Sequence, residues 1–280
     1  MQIVRNNVEL FNALAVARLQ GNIIGFVPTM GALHQGHLSL ITESQTTCDI
    51  TICSIFVNPT QFNDKKDLEK YPRTEEADLK MLSAANCDVV YLPTVEDIYP
   101  ADWICPEFDF GNLDKVMEGA HRPGHFKGMS QVVHRLLWLV QPNKIFMGQK
   151  DFQQQTIVKK MLALLNWKVE LVRCDIVREA DGLAMSSRNV RLNKDERQQA
   201  LAISRTLLQL DKIKFSSPID FCNWAISELE KQSLIKVEYV EIVDTITLQA
   251  VDNWNTKQEL VCCIAAKVGE VRLIDNVLIK

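Results

Sequence analysis

Two histidines three residues apart, His34 and His37, lie in the stretch Pro28-Thr29-Met30-Gly31-Ala32-Leu33-His34-Gln35-Gly36-His37, between an apolar run at 23–27 and an amphipathic run at 38–46. That order reads as strand, Gly-rich turn and helix. The unpaired N–H groups at such a helix start favour an anion, and Gly31 and Gly36 let a phosphate chain approach the main chain. The stretch is neither the P-loop, Gly-x-x-x-x-Gly-Lys-Ser/Thr, nor the dinucleotide fingerprint Gly-x-Gly-x-x-Gly. A zinc pair is the competing chemistry, but zinc needs further ligands and none of the eight cysteines stands as Cys-x-x-Cys or near this turn in sequence. The spacing therefore predicts a nucleotide-phosphate site, with Met30 to His37 around it.

Three further segments carry compatible chemistry. Met185-Ser186-Ser187-Arg188 follows a strand-like run at 170–177 and the turn Asp181-Gly182. Two hydroxyls beside a guanidinium can donate to phosphate oxygens and neutralise charge growing on a leaving pyrophosphate. Phe146-Met147-Gly148-Gln149-Lys150-Asp151-Phe152-Gln153-Gln154 places a glycine for close backbone approach, Asp151 as a helix N-cap, and Lys150 toward a phosphate. Ser54-Ile55-Phe56-Val57-Asn58-Pro59-Thr60-Gln61-Phe62 ends another strand in a polar loop, where amides can read substrate hydroxyls against an apolar wall of Phe56 and Phe62.

The elements that must position these groups alternate. Strands are predicted at 23–27, 50–57, 89–92, 145–147 and 169–174, and helices at 38–47, 75–85, 129–140 and 152–165. Short β-rich runs between amphipathic helices imply a Rossmann-like α/β fold, a parallel sheet with helices on both faces. Ligands then bind beyond the carboxyl ends of the strands, where His34, Asn58, Gly148 and the loop after Ile176 fall. After about Val177 the pattern changes to helices at 195–210 and 218–231 followed by strands at 237–243, 260–265 and 271–279. This predicts a smaller C-terminal α+β domain, 177–280, acting as a lid on a larger nucleotide-binding domain, 1–176.

Composition narrows the class. The 280 residues are 47% hydrophobic with a net charge of −4, ample for a core and a poor match for a nucleic-acid surface. No apolar run approaches the ~18 residues that span a membrane, and Met1 to Asn7 lack the apolar core of a secretory signal, so a cytoplasmic location is expected. In a reducing compartment most of the cysteines are expected to be small buried apolar residues.

The four segments, with Tyr71-Pro72-Arg73-Thr74, Arg122-Pro123-Gly124-His125-Phe126-Lys127-Gly128-Met129, and Tyr239-Val240-Glu241-Ile242-Val243-Asp244, come in the order of the pantoate–beta-alanine ligases, and the chain resembles that family over nearly its whole length. The first segment is then the His-x-Gly-His of nucleotidylyl transferases. The Ser186-Ser187-Arg188 loop takes the place of Lys-Met-Ser-Lys-Ser in class I aminoacyl-tRNA synthetases, whose RNA-binding module has no counterpart here.

The resemblance implies condensation of pantoate with beta-alanine at the expense of ATP, through a pantoyl adenylate, with Mg²⁺ on the nucleotide phosphates and a homodimeric assembly. It implies catalytic roles for His37, His34, Lys150 and Arg188, and an ATP site of Met30, Gly31, Ala32, Leu33, His34, Gln35, Gly36, His37, Gly148, Gln149, Lys150, Asp151, Val177, Met185, Ser186, Ser187 and Arg188. The Val177 backbone would read the adenine. Gln61, Gln154 and Asn58 would bind pantoate and beta-alanine, with Met30, Phe56 and Val132 or Val133 near the pantoate methyl groups. Asp78, after Glu75-Glu76 and the interrupting Ala77, lies where the family places acidic groups near the metal. His121, Arg122 and His125 border the pantoate site or hold its loop, and His134, among apolar neighbours, reads as structural. A nucleotidylyl transferase that stops at nucleotide transfer and a non-catalytic nucleotide-binding regulator are the rival readings.

Overall fold

Alternating apolar and amphipathic runs resolve, in the computed structural model of residues 1–62 and 65–279, into nine strands and ten helices among those residues. In chain order these are β1 Gln2–Val4, α1 Asn7–Leu19, β2 Ile24–Thr29, α2 Gln35–Thr47, β3 Ile50–Ile55, α3 Lys65–Glu69, α4 Glu75–Ala84, β4 Val89–Tyr91, α5 Val95–Ile98, α6 Glu118–His121, α7 His125–Val140, β5 Lys144–Gly148, α8 Phe152–Leu164, β6 Glu170–Cys174, α9 Lys194–Leu207, α10 Pro218–Glu230, β7 Ile235–Asp244, β8 Leu260–Val268 and β9 Val271–Ile279. The chain divides into two compact units, one of Met1–Phe110, Arg122–Gln149 and Ile157–Asp175, the other of Gly111–His121, Lys150–Thr156 and Ile176–Lys280.

The first unit is built on a six-stranded sheet in the order β1-β4-β3-β2-β5-β6. Every adjacent pair is parallel. Successive strand residues point to opposite faces, and Phe26 and Val27, like Ile145 and Phe146, are all fully buried, so both faces of the sheet are covered. Leu40 and Ile41 of α2 and Leu82 of α4 pack with Val27, Cys53 and Phe146 on one face. The chain winds outward from β2 through β3 to β4, then returns to β5 on the other side. The order reverses between β2 and β5, and beyond their carboxyl ends lies the crevice that such sheets offer to ligands.

Three local features depart from the sequence reading. The sheet's first strand, β1, is three residues long and too short for alternation to reveal it. Helix α1 follows, capped by Asn6, whose side chain accepts the Glu9 N–H at 2.9 Å; Asn6-x-x-Glu9 is a capping signal that the sequence does carry. Helix α7 starts at His125 rather than at 129, because Gly128 is a helical residue and not a break. A Cβ there would stand 2.2 Å from the Thr60 carbonyl oxygen. Glycine is present so that the helix can lie backbone to backbone against the 58–61 turn.

The second unit holds an antiparallel sheet β7-β8-β9. Leu201, Leu207, Phe221 and Leu229 of α9 and α10 pack on Ile242, Cys262, Ile264 and Leu273. Cys263 and Ala265 are buried as well, so the sheet's other face is also covered. Segment Gly111–His121 belongs to this unit. Its Glu118 receives both terminal nitrogens of Arg272 from β9, at 2.8 and 2.6 Å, and the Tyr239 hydroxyl from β7 at 2.8 Å. Burial opposes the charge on Arg272, but Glu118 and Glu238 outweigh it and hold the guanidinium protonated. All eight cysteines are free thiols, six of them buried.

Breaking such a buried pair from one side leaves an uncompensated charge. Arg272→Met is expected to destabilise the chain by about 3–5 kcal/mol, whereas the paired variant Arg272→Met with Glu118→Leu regains most of that loss. Urea unfolding of both variants measures it; equal stability of the single variant and the native chain would deny the pair any structural role.

Candidate active site

The His-x-Gly-His turn is shaped by two residues in the left-handed region, Gly31 at φ 77° and Ala32 at φ 49°. Gly31 is required twice over, by its φ and because a Cβ would lie 3.0 Å from an oxygen of Asp78. This backbone course aims the N–H groups of Ala32 and Leu33 at Asp78, which accepts them at 2.9 and 2.8 Å, with the Thr74 hydroxyl at 3.1 Å. Asp78 is 1% exposed. The turn's root is fixed as well: Thr29 Oγ1 donates to the Ser54 carbonyl and accepts the Gly31 N–H.

His34 is the N-cap of α2 and His37 its third residue. The His34 N–H donates to Nδ1 of His37 at 3.3 Å, and the two rings stand 4.1 Å apart. With Nδ1 an acceptor, the neutral His37 ring carries its proton on Nε2. Both rings are half-buried. The helix start thus presents backbone N–H groups and an imidazole donor together, an arrangement suited to phosphate oxygens.

Gln61 and Asn58 form the second part. Asn58 is 1% exposed and its side chain is fully engaged: Nδ2 donates to the Gly128 carbonyl at 3.2 Å and to Gln61 Oε1 at 3.1 Å, and Oδ1 accepts from Thr60 and from the Tyr99 hydroxyl at 2.8 Å. In this structure Asn58, expected as a substrate ligand, orients Gln61. The remaining end of the Gln61 amide, Nε2, rests on the Met30 sulfur at 3.1 Å, a weak acceptor readily exchanged for a hydroxyl. His125 holds the loop from the far side: Nε2 faces the Arg122 guanidinium, which only donates, so Nδ1 carries the proton and donates to the Gln61 carbonyl at 2.8 Å. Phe56 is buried in the same unit, and its ring lies 6.4 Å from that of Tyr99.

Gly148 ends β5, and a Cβ there would meet nothing within 4 Å. Open space thus lies over this backbone, beside the strand that leads to the histidine turn.

In the second unit, Lys150 is half-buried and its carbonyl accepts from Asn276 Nδ2 at 2.9 Å. Asp151 is exposed at the turn into α8. Of the adjacent glutamines, Gln153 serves the fold, donating to the Leu113 and Val116 carbonyls and accepting the Glu118 N–H; Gln154 is half-buried. Met185, Ser186, Ser187 and Arg188 leave a hairpin in which Arg178 pairs with Ala184. The Met185 N–H donates to the Val177 carbonyl, and Ser186 Oγ accepts the Arg188 N–H at 3.3 Å. Asn189, 7% exposed, ties the loop to Glu179 and the Ala184 carbonyl. Arg197 bonds Glu179 at 2.7 Å and holds that carboxyl below its ordinary range, with Asn189 adding to the effect.

Sequence reasoning missed Asp78 as the residue holding the turn. Both of its oxygens accept main-chain N–H groups of the His-x-Gly-His turn, so it supports the shape of that turn. Among the described residues, no group of three His, Cys, Asp or Glu could hold a metal ion. Asn189 stood next to a quoted motif, but Asn276 and Asp275 carried no signal. His134, read as structural, stacks between Trp103 and Trp167, and burial lowers its basicity.

A parallel α/β sheet that carries a His-x-Gly-His turn at its switch point defines a nucleotide-binding α/β enzyme. The Pantoate-beta-alanine ligase family matches residues 2–278. The pantothenate synthetase of Porphyromonas gingivalis W83 is 49% identical over 99% of both chains, and that of Bacteroides fragilis is 46% identical over 100% of this chain and 99% of its own. The crystal structure of pantothenate synthetase from Thermus thermophilus superposes with a TM-score of 0.92 at 37% identity, covering 99% of both chains. That of Francisella tularensis pantoate-beta-alanine ligase, complexed with beta-gamma ATP and beta-alanine, gives 0.82 at 34% identity over 99% of this chain and 97% of its own. The chain belongs to the pantoate–beta-alanine ligase family.

If Asp78 holds the turn, Asp78→Ala leaves two inward N–H groups unpaired and is expected to cost about 1.5–3 kcal/mol of stability together with a marked loss of ATP affinity. Urea unfolding and equilibrium titration with ATP read the two effects. Native affinity in the variant would show that the turn keeps its shape without the carboxylate.

Proposed function

We propose that this chain condenses pantoate with beta-alanine, converting ATP to AMP and pyrophosphate. The observation that carries the reading is the His34–His37 turn, with an imidazole at the start of α2, in a chain whose residues 2–278 match the ligase family. A carboxylate oxygen of pantoate attacks the α-phosphorus of ATP. The bond from that phosphorus to the bridging oxygen breaks and pyrophosphate departs, leaving pantoyl adenylate. The beta-alanine amine then attacks the acyl carbon, the acyl carbon–oxygen bond breaks, AMP leaves with that oxygen, and the amine gives up a proton.

Both steps need charge neutralised in a water-poor pocket. We assign His37 Nε2–H and His34 to nucleotide phosphate oxygens, and Lys150, Ser186, Ser187 and Arg188 to phosphate oxygens and the departing pyrophosphate. Met30 to Gly36, Gly148, Gln149, Asp151 and Met185 complete the nucleotide site. The Val177 carbonyl already accepts from Met185, so its N–H is the group we assign to the adenine. Gln61 and Gln154 take the pantoate hydroxyls and carboxylate, with Asn58 behind Gln61 and Met30 and Phe56 beside the methyl groups. A divalent cation, Mg²⁺ in our reading, would come with ATP and neutralise charge on its phosphates, with Asp78 behind the turn. The division at 176/177 into a nucleotide- and pantoate-binding domain and a C-terminal lid belongs to the same proposal, as do a homodimer and a cytoplasmic location.

Gln61→Ala is expected to raise the KM for pantoate far more than that for ATP, because the lost bonds go to pantoate hydroxyls. Steady-state kinetics with one substrate varied at a time checks this, and equal effects on both would put Gln61 outside the pantoate site.

The chemistry itself is tested with pantoate labelled with oxygen-18 in its carboxylate. Adenylation sends one labelled oxygen to AMP, seen by mass spectrometry or phosphorus NMR. Label in inorganic phosphate, with ADP as co-product, would mean attack on the γ-phosphate and would overturn the reading.

A further inference from the structure

Asp275 and Asn276, adjacent on the edge strand β9, hold two distant segments. Asp275 is 3% exposed and takes a two-pronged bond from Arg178, 2.7 Å from Nη1 to Oδ2 and 3.0 Å from Nη2 to Oδ1. Arg178 opens the hairpin whose return strand, at Ala184, runs straight into Met185 to Arg188. Its Nη1 also donates to the Gly182 carbonyl at 3.2 Å, closing the hairpin tip. Asn276, 2% exposed, donates from Nδ2 to the Lys150 carbonyl at 2.9 Å. Side chains of neighbouring strand residues point to opposite faces, so one dipeptide reaches out of both sides of the sheet. The anchored segments lie 97 and 126 residues away in sequence and carry Arg188 and Lys150.

Placement so deep has a cost that stability alone does not repay. Burial raises the Asp275 carboxyl against the opposing pull of Arg178, and an apolar pair of the same volume would suit the site as well or better. What an ion pair and a directed amide supply that an apolar contact cannot is fixed register, because the fork of Arg178 fits the carboxylate in one orientation.

We propose that Asp275 and Asn276 are positioning residues for the ATP phosphates, setting the Ser186–Arg188 loop and Lys150 in a common register from a single point on β9. The proposal rests on the reading of Lys150 and Ser186 to Arg188 as phosphate ligands. It makes the end of the last strand part of the nucleotide machinery without contact between these two side chains and the substrate.

The test is ATP affinity, measured on the full chain by equilibrium titration with MgATP, alongside steady-state kinetics. Asn276→Ala removes the bond to the Lys150 carbonyl and is expected to weaken ATP binding about tenfold, and Asp275→Asn by about tenfold to a hundredfold, with the KM for pantoate unchanged in both. Asp244→Asn, which loosens a turn at the far end of β7, serves as the matched control and is expected to keep native ATP affinity. The proposal is overturned if folded Asn276→Ala and Asp275→Asn bind ATP as the native chain does, or if Asp244→Asn loses as much affinity. Should Asp275→Asn fail to fold, Asn276→Ala alone decides. A native chain that binds ATP but makes no pantothenate would refute the proposed function and leave this inference standing on the binding data.

Discussion

The carboxylate of Asp78 sits out of water with the N–H groups of Ala32 and Leu33 pointed at it, and the His-x-Gly-His turn has its shape because of that contact. Strand β2 must stop, reverse the direction of its amides and start a helix within five residues. Two consecutive left-handed residues make the reversal, and a buried anion receives the donors that the reversal turns inward. Glycine at 31 satisfies both the backbone angle and the space that Asp78 needs. With the inner donors satisfied, the start of α2 sets the His37 ring beside the His34 amide, the arrangement we propose for a phosphate. The two sets of donors are thus divided by the sign of φ at Gly31 and Ala32.

The Gln61 side of the site depends on a different constraint, close approach of two backbones. Gly128 lets α7 touch the turn at Thr60, and the contact brings the Gly128 carbonyl within reach of Asn58. Asn58 then has no freedom left and presents Gln61. The turn is gripped from its other end by His125, whose tautomer is set by Arg122. A selective amide is useful only if its own orientation is fixed, and here four residues do that while its Nε2 keeps a weak, exchangeable partner.

The second unit relies on charged and amide contacts where the first relies on backbone geometry. Glu118 with Arg272 and Arg178 with Asp275 join segments far apart in the chain, and Arg197 ties the nearer Glu179 and Asp181 to α9. Such contacts specify orientation more than they add stability. That suits a unit whose chemical groups sit on loops and at the mouth of a helix rather than on strands.

The sequence determined by itself most of the longer strands and helices, the parallel character of the first sheet and the four segments with chemistry, because these are local. A strand-turn-helix with His-x-Gly-His is written in ten consecutive residues, and hydrophobic period depends only on neighbours. It also determined the α+β character of the region after Val177, from the order of helices and strands. Only the tertiary structure decided what supports those segments. Asp78 lies 46 residues from Ala32, Gly128 lies 70 from Asn58, and Asp275 lies 97 from Arg178. An aspartate on a polar helix, a glycine in a loop-like stretch and an aspartate inside a strand have no local pattern that separates a support from a solvated face or a break. It was likewise the structure that joined Gly111–His121 to the C-terminal sheet, since a buried carboxylate such as Glu118 finds its cation in space and not along the chain.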